Sequence, residues 1–494
     1  MTTFLNTTPE SNPGQSAAAL GSEGPLSDKI RDFFNQIAPE RLDWKKKNWY
    51  YHEDLQKFLL HHIPSDSTVL EIGCGPGDLL ASLPVKRGVG IDFSEKMIEL
   101  AQARFPSRKF RVGAAENLPI EEPFDIVLLC DTIGLFPDVQ KAFDQLSKVT
   151  TERSRVIITY YNYLWEPIYK FAETVGLKMP QPSQNCLPLW AIENLLYLSG
   201  FEVIKKGYRL IFPKHIPYLS TFFNRVVARL PLINKLCLME WIVAKPISQA
   251  KDPQSLTCSV VVPCRNERDN IMNAVTKTPP LGRETEFIFV DGRSTDGTVE
   301  EIQRVQKMFP EKKIRLVHQP EPKGKYDAVK LGFDAAEGDI LMILDADLTV
   351  PPEDLSKFFN ALAQGKGEFI SGTRLVYPME KEAMRILNLF GNKFFGAAFS
   401  YLLDQRFSDT LCGTKVFLRK DYERIKQGRV YFGDFDPFGD FDLLFGASKL
   451  DMKIVELPIR YRERVYGTTK IRRFFHGWLL LQMCGVAMRK LKFV

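Results

Sequence analysis

Long apolar runs, paired cysteines and concentrated charge are all missing from this chain of 494 residues. No uninterrupted apolar stretch approaches the ~18 residues that a membrane-spanning helix needs, so no span is expected. The eight cysteines (74, 130, 186, 237, 258, 264, 412 and 484) form no Cys-X-X-Cys pair. Their scatter argues against a disulfide frame or a zinc site, and for free thiols in a reducing compartment. A net charge of +6 is mild for this length, and no basic arm accompanies it, so nucleic acid is not an expected partner. The first residues lack the basic-then-apolar pattern of a secretory signal, which makes a cytoplasmic protein the expectation. Residues 1–27 contain neither Lys nor Arg and are rich in Thr, Ser, Gly, Ala and Pro. They read as a disordered tail.

What is present is the composition of a globular enzyme, 45% hydrophobic and 26% charged. The length exceeds one ordinary core, so two or three domains are expected. Strand-like runs at Thr68–Ile72, Gly88–Asp92, Phe110–Val112, Phe124–Leu129 and Arg155–Tyr160 alternate with helical segments, as in a parallel sheet with crossover connections. Phe201–Phe212 and Leu236–Ala244 suit a closing antiparallel pair, and Ile216–Leu230 between them reads as one amphipathic helix. A polar stretch, 247–256, is the expected linker. A second alternation follows, with strands at Cys258–Val262, Thr285–Val290, Ile314–His318, Ile340–Asp345 and Phe369–Thr373, an apolar helical region over 380–403, and a strand at Ile454–Arg460. The predicted fold class is therefore α/β, with two doubly wound domains over 28–246 and 257–470 and an amphipathic helix over 471–494.

The first alternation carries Glu71-Ile-Gly73-Cys-Gly75-Pro-Gly77 after its first strand and Asp92 at the end of its second. Glycine permits the tight turn and lets a ligand approach the backbone, while an acid at the next strand end can accept hydrogen bonds from ribose hydroxyls. A lone glycine-rich turn is weak, but here Gly113-Ala-Ala-Glu116-Asn-Leu-Pro119 follows the third strand. This series resembles the class I S-adenosylmethionine-dependent methyltransferases over residues 30–246, with a Rossmann-like fold. The resemblance implies that Glu71 serves the methionine end, that Gly73, Gly75 and Gly77 pass close to the cofactor, that Asp92 binds its ribose, and that Glu116 lies in the adenine loop. Relatives often carry an acid directly after the glycine at 113, where this chain has Ala114. Asp131, after the fourth strand, is a candidate base or a solvated loop residue. Tyr160, Tyr161 and Tyr163 either line an acceptor pocket or pack.

The second alternation carries Asp345-Ala-Asp347 at a strand end, where two carboxylates can reach one hard divalent ion, Mg2+ or Mn2+, that bridges a diphosphate. Alone the triplet is common. Around it stand Pro263-Cys-Arg-Asn-Glu267, Asp291-Gly-Arg-Ser-Thr-Asp296, Lys323-Gly-Lys325, Ser408–Lys415, Asp440-Phe-Asp442 and Arg464-Val-Tyr-Gly-Thr-Thr-Lys470. This order resembles glycosyltransferase family 2, of GT-A type, and within it the polyprenyl-phosphate sugar synthases. The resemblance implies that Pro263, Glu267, Asp291 and Asp296 hold the base and ribose of a nucleotide sugar. Asp345 and Asp347 would handle metal and diphosphate. Asp440 and Asp442 occupy the acidic position beside the acceptor, Asp440 as base for a hydroxyl and Asp442 orienting or ligating. Arg464 and Lys470 would close over phosphates. Lys323 and Lys325 either add charge there or are surface lysines. Two departures stand out: Asp291-Gly-Arg lacks the usual second acid, and Thr349 stands where the lipid-phosphate enzymes often carry Gln.

Arg472, Arg473, Arg489, Lys490 and Lys492 flank an aromatic and aliphatic run at the C-terminal end, and Leu387–Leu403 is a second apolar helix. Both suit contact with the inner face of a cell membrane or plain core packing. His476 reads as a packing or interfacial residue. The expectation is thus a bifunctional enzyme, with S-adenosylmethionine-dependent methyl transfer and metal-dependent, inverting glycosyl transfer from a nucleotide-sugar donor to a lipid-linked or glycan acceptor. Its rival is a glycosyltransferase whose first domain binds a cofactor or substrate without methylating.

Overall fold

The computed structural model describes residues 25–182, 184–185, 187–321, 324–376, 386–431, 441–462 and 473–492. Residues 1–24 of the expected tail, Lys323, Asp440, Arg464 and Lys470 lie outside the described residues.

The first domain is built on seven strands: β1 (Thr68–Ile72), β2 (Arg87–Asp92), β3 (Lys109–Val112), β4 (Ile126–Cys130), β5 (Arg155–Tyr161), β6 (Phe201–Arg209) and β7 (Met239–Pro246). Their order across the sheet is β3-β2-β1-β4-β5-β7-β6. β1 to β5 run parallel, and β7 runs antiparallel between β5 and β6. Parallel neighbours need crossovers, supplied by helices such as Asp78–Ser82 and Glu95–Arg104. β4 and β5 are buried almost throughout, as a strand covered by helices on both faces must be. Strand order reverses between β1 and β4, so a ligand crevice is expected beyond their carboxyl ends.

The second domain repeats this plan with β8 (Thr257–Cys264), β9 (Glu284–Asp291), β10 (Lys313–His318), β11 (Ile340–Ile343), β12 (Phe369–Thr373), β13 (Lys415–Leu418) and β14 (Ile454–Pro458). The order is β10-β9-β8-β11-β13-β12-β14, with its own switch point between β8 and β11. The sequence reading does not anticipate β13, a four-residue strand antiparallel to both β11 and β12. Its short run only becomes a strand because two partners flank it. The two sheets are doubly wound α/β structures, Rossmann-like and GT-A-like respectively.

Three local expectations need correction. The run Ile340–Asp345 leaves the sheet after Ile343, because a turn closed by Leu348 N–H on Asp345 O (3.0 Å) follows at once. The expected helix over Ile216–Leu230 is a short helix, Leu219–Arg225, followed by a single 3-10 turn, Val227–Arg229. β6 likewise stops at Arg209, since the side-chain oxygen of Asn224 takes the N–H groups of Ile211 and Phe212 (2.9 and 3.0 Å).

Buried ion pairs join the domains. Arg155 of β5 makes a two-pronged contact with Glu368 (2.8 and 3.0 Å), and its Nε donates to Asp451 O (2.8 Å). His62 and Lys205 both reach the Asp451 carboxylate. Charges buried this deeply are tolerated only when paired.

Candidate active sites

The crevice of the first domain opens where β1 runs into its glycine turn. Gly75 has φ +51°, and nothing stands within 4 Å of the Cβ it lacks, so a ligand can approach its backbone. Gly73 is needed for a different reason: a Cβ there would lie 2.3 Å from Thr132 Oγ1. Asp92, at the end of β2, is buried and accepts from Gly75 N–H (2.8 Å) and Ser94 N–H (3.0 Å). It ties the glycine turn to the second strand. Glu71 is buried beneath the turn, and Oε2 accepts from Leu80 N–H (3.2 Å). Burial pushes its carboxyl up to about 8, against the pull of Lys45 and of that backbone hydrogen bond. Glu116 accepts from Asp138 N–H (3.3 Å) and lines a cavity with Phe93, Ala114 and Leu135. The helix Pro25–Ile37 closes this cavity from above through Ser27 and Ile30, leaving about 30 Å³ of free space.

Beyond the carboxyl end of β4, Asp131 takes a left-handed backbone (φ 56°). Its carboxylate accepts from Tyr51 Oη (2.7 Å) and Thr159 Oγ1 (3.2 Å). Burial raises the acid to about 6, with those two hydrogen bonds pulling the other way. An acid poised there can take a proton near neutral pH. Tyr161 and Tyr169 pack beside it with their rings tilted by 60° and 4.9 Å between centroids, and Lys178 lies over both rings. Of the three tyrosines named from sequence, Tyr161 joins this group. Tyr160 is buried and bonds to Asn185 O, and Tyr163 is exposed. Tyr51, Tyr169 and Lys178 carried no sequence signal, because they come from three separate helices or loops.

In the second domain, Pro263 lies near the end of β8 and Glu267 just past it, Asp291 ends β9, and Asp345 and Asp347 follow β11. Asp291 is buried and accepts from the N–H groups of Arg293 and Ser294 (both 3.1 Å). Glu267 accepts from Asn270 Nδ2 (2.8 Å). Asp296 turns toward its own loop, accepting from Thr298 N–H (3.1 Å) and Arg268 N–H (3.3 Å). Burial would raise it, but the Thr298 and Arg268 hydrogen bonds win and hold it below the ordinary carboxylate range.

Asp345 Oδ1 stands 2.7 Å from Lys325 Nζ, so this lysine of the sequence motif belongs to the site. The loop before β13 crosses directly above: a Cβ on Gly413 would lie 2.2 Å from Asp345 Oδ2 and 2.6 Å from Lys325 Nζ. Only glycine lets the chain pass so close. Asp347 Oδ1 accepts from Thr349 N–H (3.2 Å) and Oγ1 (2.8 Å), which gives the departure at Thr349 a task as a local brace. Asp442 is buried, with Oδ2 accepting from Tyr326 Oη and Arg429 Nε (both 2.7 Å). The loop 408–413 is pinned from below by Asp409, which pairs with Arg374 through two 2.7 Å contacts, and by Glu456, which accepts from Ser408 and Asp409 N–H. Arg374, Tyr326, Arg429 and Glu456 are visible only in three dimensions. Among the described residues no group of three His, Cys, Asp or Glu side chains stands together as a metal cluster.

With this geometry in hand, the kinship of the chain is direct. The Glycosyl transferase family 2 model matches residues 259–426, and a Methyltransferase domain model matches residues 63–192. The chain thus joins a methyltransferase domain to a family 2 glycosyl transferase domain. Among curated proteins it is 36% identical to the dolichol-phosphate mannosyltransferase of Saccharomyces cerevisiae, over 24% of this chain and 45% of that one. It is 26% identical to the undecaprenyl-phosphate 4-deoxy-4-formamido-L-arabinose transferase of Edwardsiella ictaluri, over 43% of this chain and 62% of that one. The chain thus spans about half the length of these relatives. Among solved structures, an S-adenosylmethionine-dependent methyltransferase of Thermotoga maritima aligns with 44% of this chain and 99% of its own, at 18% identity and a TM-score of 0.35.

Proposed function

We propose that the chain is a bifunctional transferase. The second domain transfers a glycosyl group from a nucleotide sugar to a lipid phosphate, and the first transfers a methyl group from S-adenosylmethionine. The observation that carries the reading is the placement of Asp345 and Asp347 at the β8/β11 switch point, with Lys325 and the Gly413 loop closed over Asp345. The dolichol-phosphate and undecaprenyl-phosphate specificities named for its relatives support a lipid-phosphate acceptor.

Two carboxylates suit Mg2+ or Mn2+, because such ions use one or two protein acids and complete their shell with substrate phosphates and water. Bound there, the ion would stabilise negative charge on the departing diphosphate. Pro263, Glu267 and Asp291 are the proposed nucleoside contacts. Asp296 is the weaker member of that set, since its oxygens serve Thr298 and Arg268. Arg464 and Lys470 are the proposed phosphate contacts. In the reaction a phosphate oxygen of the acceptor bonds to the anomeric carbon while the bond from that carbon to the diphosphate breaks. One in-line displacement inverts the configuration. A phosphate monoester is already anionic near neutral pH and needs no base. That fits Asp442, whose Oδ2 is committed to Arg429 and Tyr326, as a positioning group. Asp440 is the base on this reading only if the acceptor is a hydroxyl.

In the first domain, Gly73, Gly75 and Gly77 form the proposed cofactor turn, Asp92 the ribose contact, Glu71 its support and Glu116 the adenine side. The cofactor supplies an electrophilic methyl group, and Asp131 is placed to take a proton from the acceptor. One observation favours the rival reading of a first domain that does not methylate: Ala114 removes an adenine contact from a cleft with about 30 Å³ free. Calorimetry with S-adenosylmethionine separates the two, since absent binding ends the methyltransferase reading. For the second domain, Asp345→Asn with Asp347→Asn is expected to lower transfer from nucleotide sugars to a polyprenyl phosphate by at least about 100-fold with Mg2+ or Mn2+ present. Retained transfer would overturn the metal assignment. We place the protein in the cytoplasm, against the inner face of the cell membrane where such an acceptor resides.

A further inference from the structure

The segment between β6 and β7 is folded inside out for a protein surrounded by water. An amphipathic surface helix normally buries its apolar stripe and exposes its polar one. Here Ser220, Asn224 and Ala228 are buried, at four-residue spacing, while Leu219, Phe222, Val226 and Leu230 are exposed. The inward polar face is firmly held. Asn224 bonds to Ile211, Phe212 and Tyr50, and Ser220 bonds to Ile216 O (2.8 Å). The outward apolar face is therefore specified by the inward contacts, and a simple rotation of the helix would break them.

Backbone strain tells the same story. Tyr218 and Leu232, each directly after a proline, have φ of 62° and 72°. Positive φ is a real cost for bulky side chains. At Tyr218 the distortion is a γ-turn, closed by Leu219 N–H on Pro217 O (2.7 Å). These two strained residues are 92% and 77% exposed. The fold thus accepts strain twice in order to hold a large apolar side chain out at a loop tip.

Charge decides what covers this face. Between Glu202 and Glu240 the sequence has no acidic residue, and exposed Arg225, Lys235 and His215 sit among the apolar groups. Trp49 extends the face, 5.5 Å from His215 between ring centroids, as an amphipathic ring at a membrane boundary would. Apolar tips on a segment that carries basic residues and no acid of its own match an anionic lipid surface, where the side chains enter the acyl boundary and the cations meet headgroups; Glu193 and Asp404, which line a cavity with Lys235, are themselves paired with Lys206 and Lys492. The face also continues onto the second domain. Tyr401, in the helix Ile386–Leu403, hydrogen-bonds to Arg229 O, and exposed Phe394 lies two turns earlier on the same helix.

We propose that residues 212–236 of the methyltransferase domain form a membrane-docking face that seats the chain on an anionic bilayer. The face brings the first domain to the membrane alongside the helix Ile386–Leu403, so that both crevices ride on one surface. This deepens the lipid-phosphate reading, and it rests on separate observations.

The test is flotation of the full chain with vesicles of phosphatidylcholine, with and without phosphatidylglycerol, compared with Phe222→Glu plus Leu232→Glu. Both positions are exposed, so an unchanged melting curve is the folding check. The wild type is expected to float with the anionic vesicles and the variant to lose roughly tenfold or more of that partition. Sedimentation without lipid is expected to give the same oligomeric state for both. Equal flotation of wild type and variant, or loss only on Trp478→Glu in the C-terminal helix, would overturn the proposal. So would a wild-type dimer that the variant dissolves, since the face would then bind a second copy. Transfer to a detergent-solubilised lipid phosphate should survive in the variant. Its absence in the wild type would sink the glycosyl-transfer reading and leave vesicle binding standing.

Discussion

Asp451 of the second domain lies 2.8 Å from His62 Nδ1 and 2.8 Å from Lys205 Nζ, both of the first, with all three side chains buried. The carboxyl would be raised by burial, yet His62 and Lys205 outweigh this and hold it far below the ordinary carboxylate range. This contact ties the two domains together. Removing one member leaves buried charge without its counterpart, so Asp451→Ala is expected to cost about 3–5 kcal/mol. Differential scanning calorimetry should show a lower midpoint or a split into two transitions. An unchanged single transition would mean that the interface does not rest on this residue. The sign of the shift also places any acid loss: the contribution is complete above the unfolded pKa of about 3.9 and fades only below it.

Glu71 behaves in the opposite sense. Its folded carboxyl is raised by burial from 4.5 to about 8, so the folded state keeps a proton that the unfolded chain releases. Its contribution to stability therefore falls as pH rises from about 4.5 to about 8. Glu71→Gln should flatten that part of the stability curve relative to the wild type. Denaturant melts at closely spaced pH values would read this as a difference of up to about 1.4 kcal/mol per pH unit. Parallel curves for the two proteins would show that Glu71 is ionised in the fold.

Gly413→Ala tests the closure over the crevice proposed to hold the diphosphate. The new methyl group would meet Asp345 Oδ2 and Lys325 Nζ at 2.2 and 2.6 Å, and one of them must move. A displacement near 1 Å at a reacting centre costs about 100-fold in rate. We expect a loss of that order in glycosyl transfer with little change in melting temperature. Full activity would mean that Asp345 need not stay where it is.

The helix Pro25–Ile37 supplies a fourth test. Ser27 and Ile30 close a cleft that retains about 30 Å³, far below what a nucleoside fills. Binding of S-adenosylmethionine should therefore displace this helix, and amide hydrogen exchange in residues 25–37 should change when the cofactor is added. Binding with unaltered exchange there would place the cofactor elsewhere.

Much of this arrangement is legible from the chain alone, for a definite reason. Parallel strands buried on both faces are written as continuous apolar runs, and the turns at their carboxyl ends are written in glycine and aspartate. Glu71, the Gly73–Gly77 turn, Asp92, Asp291, Asp345 and Asp347 all stand in that local code, and the structure sets each at or just past a strand end. The helix expected over Ile216–Leu230 is cut to Leu219–Arg225 because the γ-turn at Tyr218 precedes it and a 3-10 turn, Val227–Arg229, follows; an apolar period marks a face, but neither where the helix starts and stops nor which side meets water. Likewise β13 has too few residues to declare itself, and it forms because β11 and β12 supply partners on both edges.

Local signals thus determine two α/β halves, their order, and the acidic and glycine positions lining each crevice, because those features depend on neighbours within a few residues. Tertiary structure decides the rest. Lys325 belongs to Asp345, Arg429 and Tyr326 hold Asp442, Tyr51 bonds to Asp131, and Asp451 ties one domain to the other. These contacts join residues far apart in the chain, so no spacing rule encodes them. They exist because a buried charge must find a partner wherever packing brings one within reach.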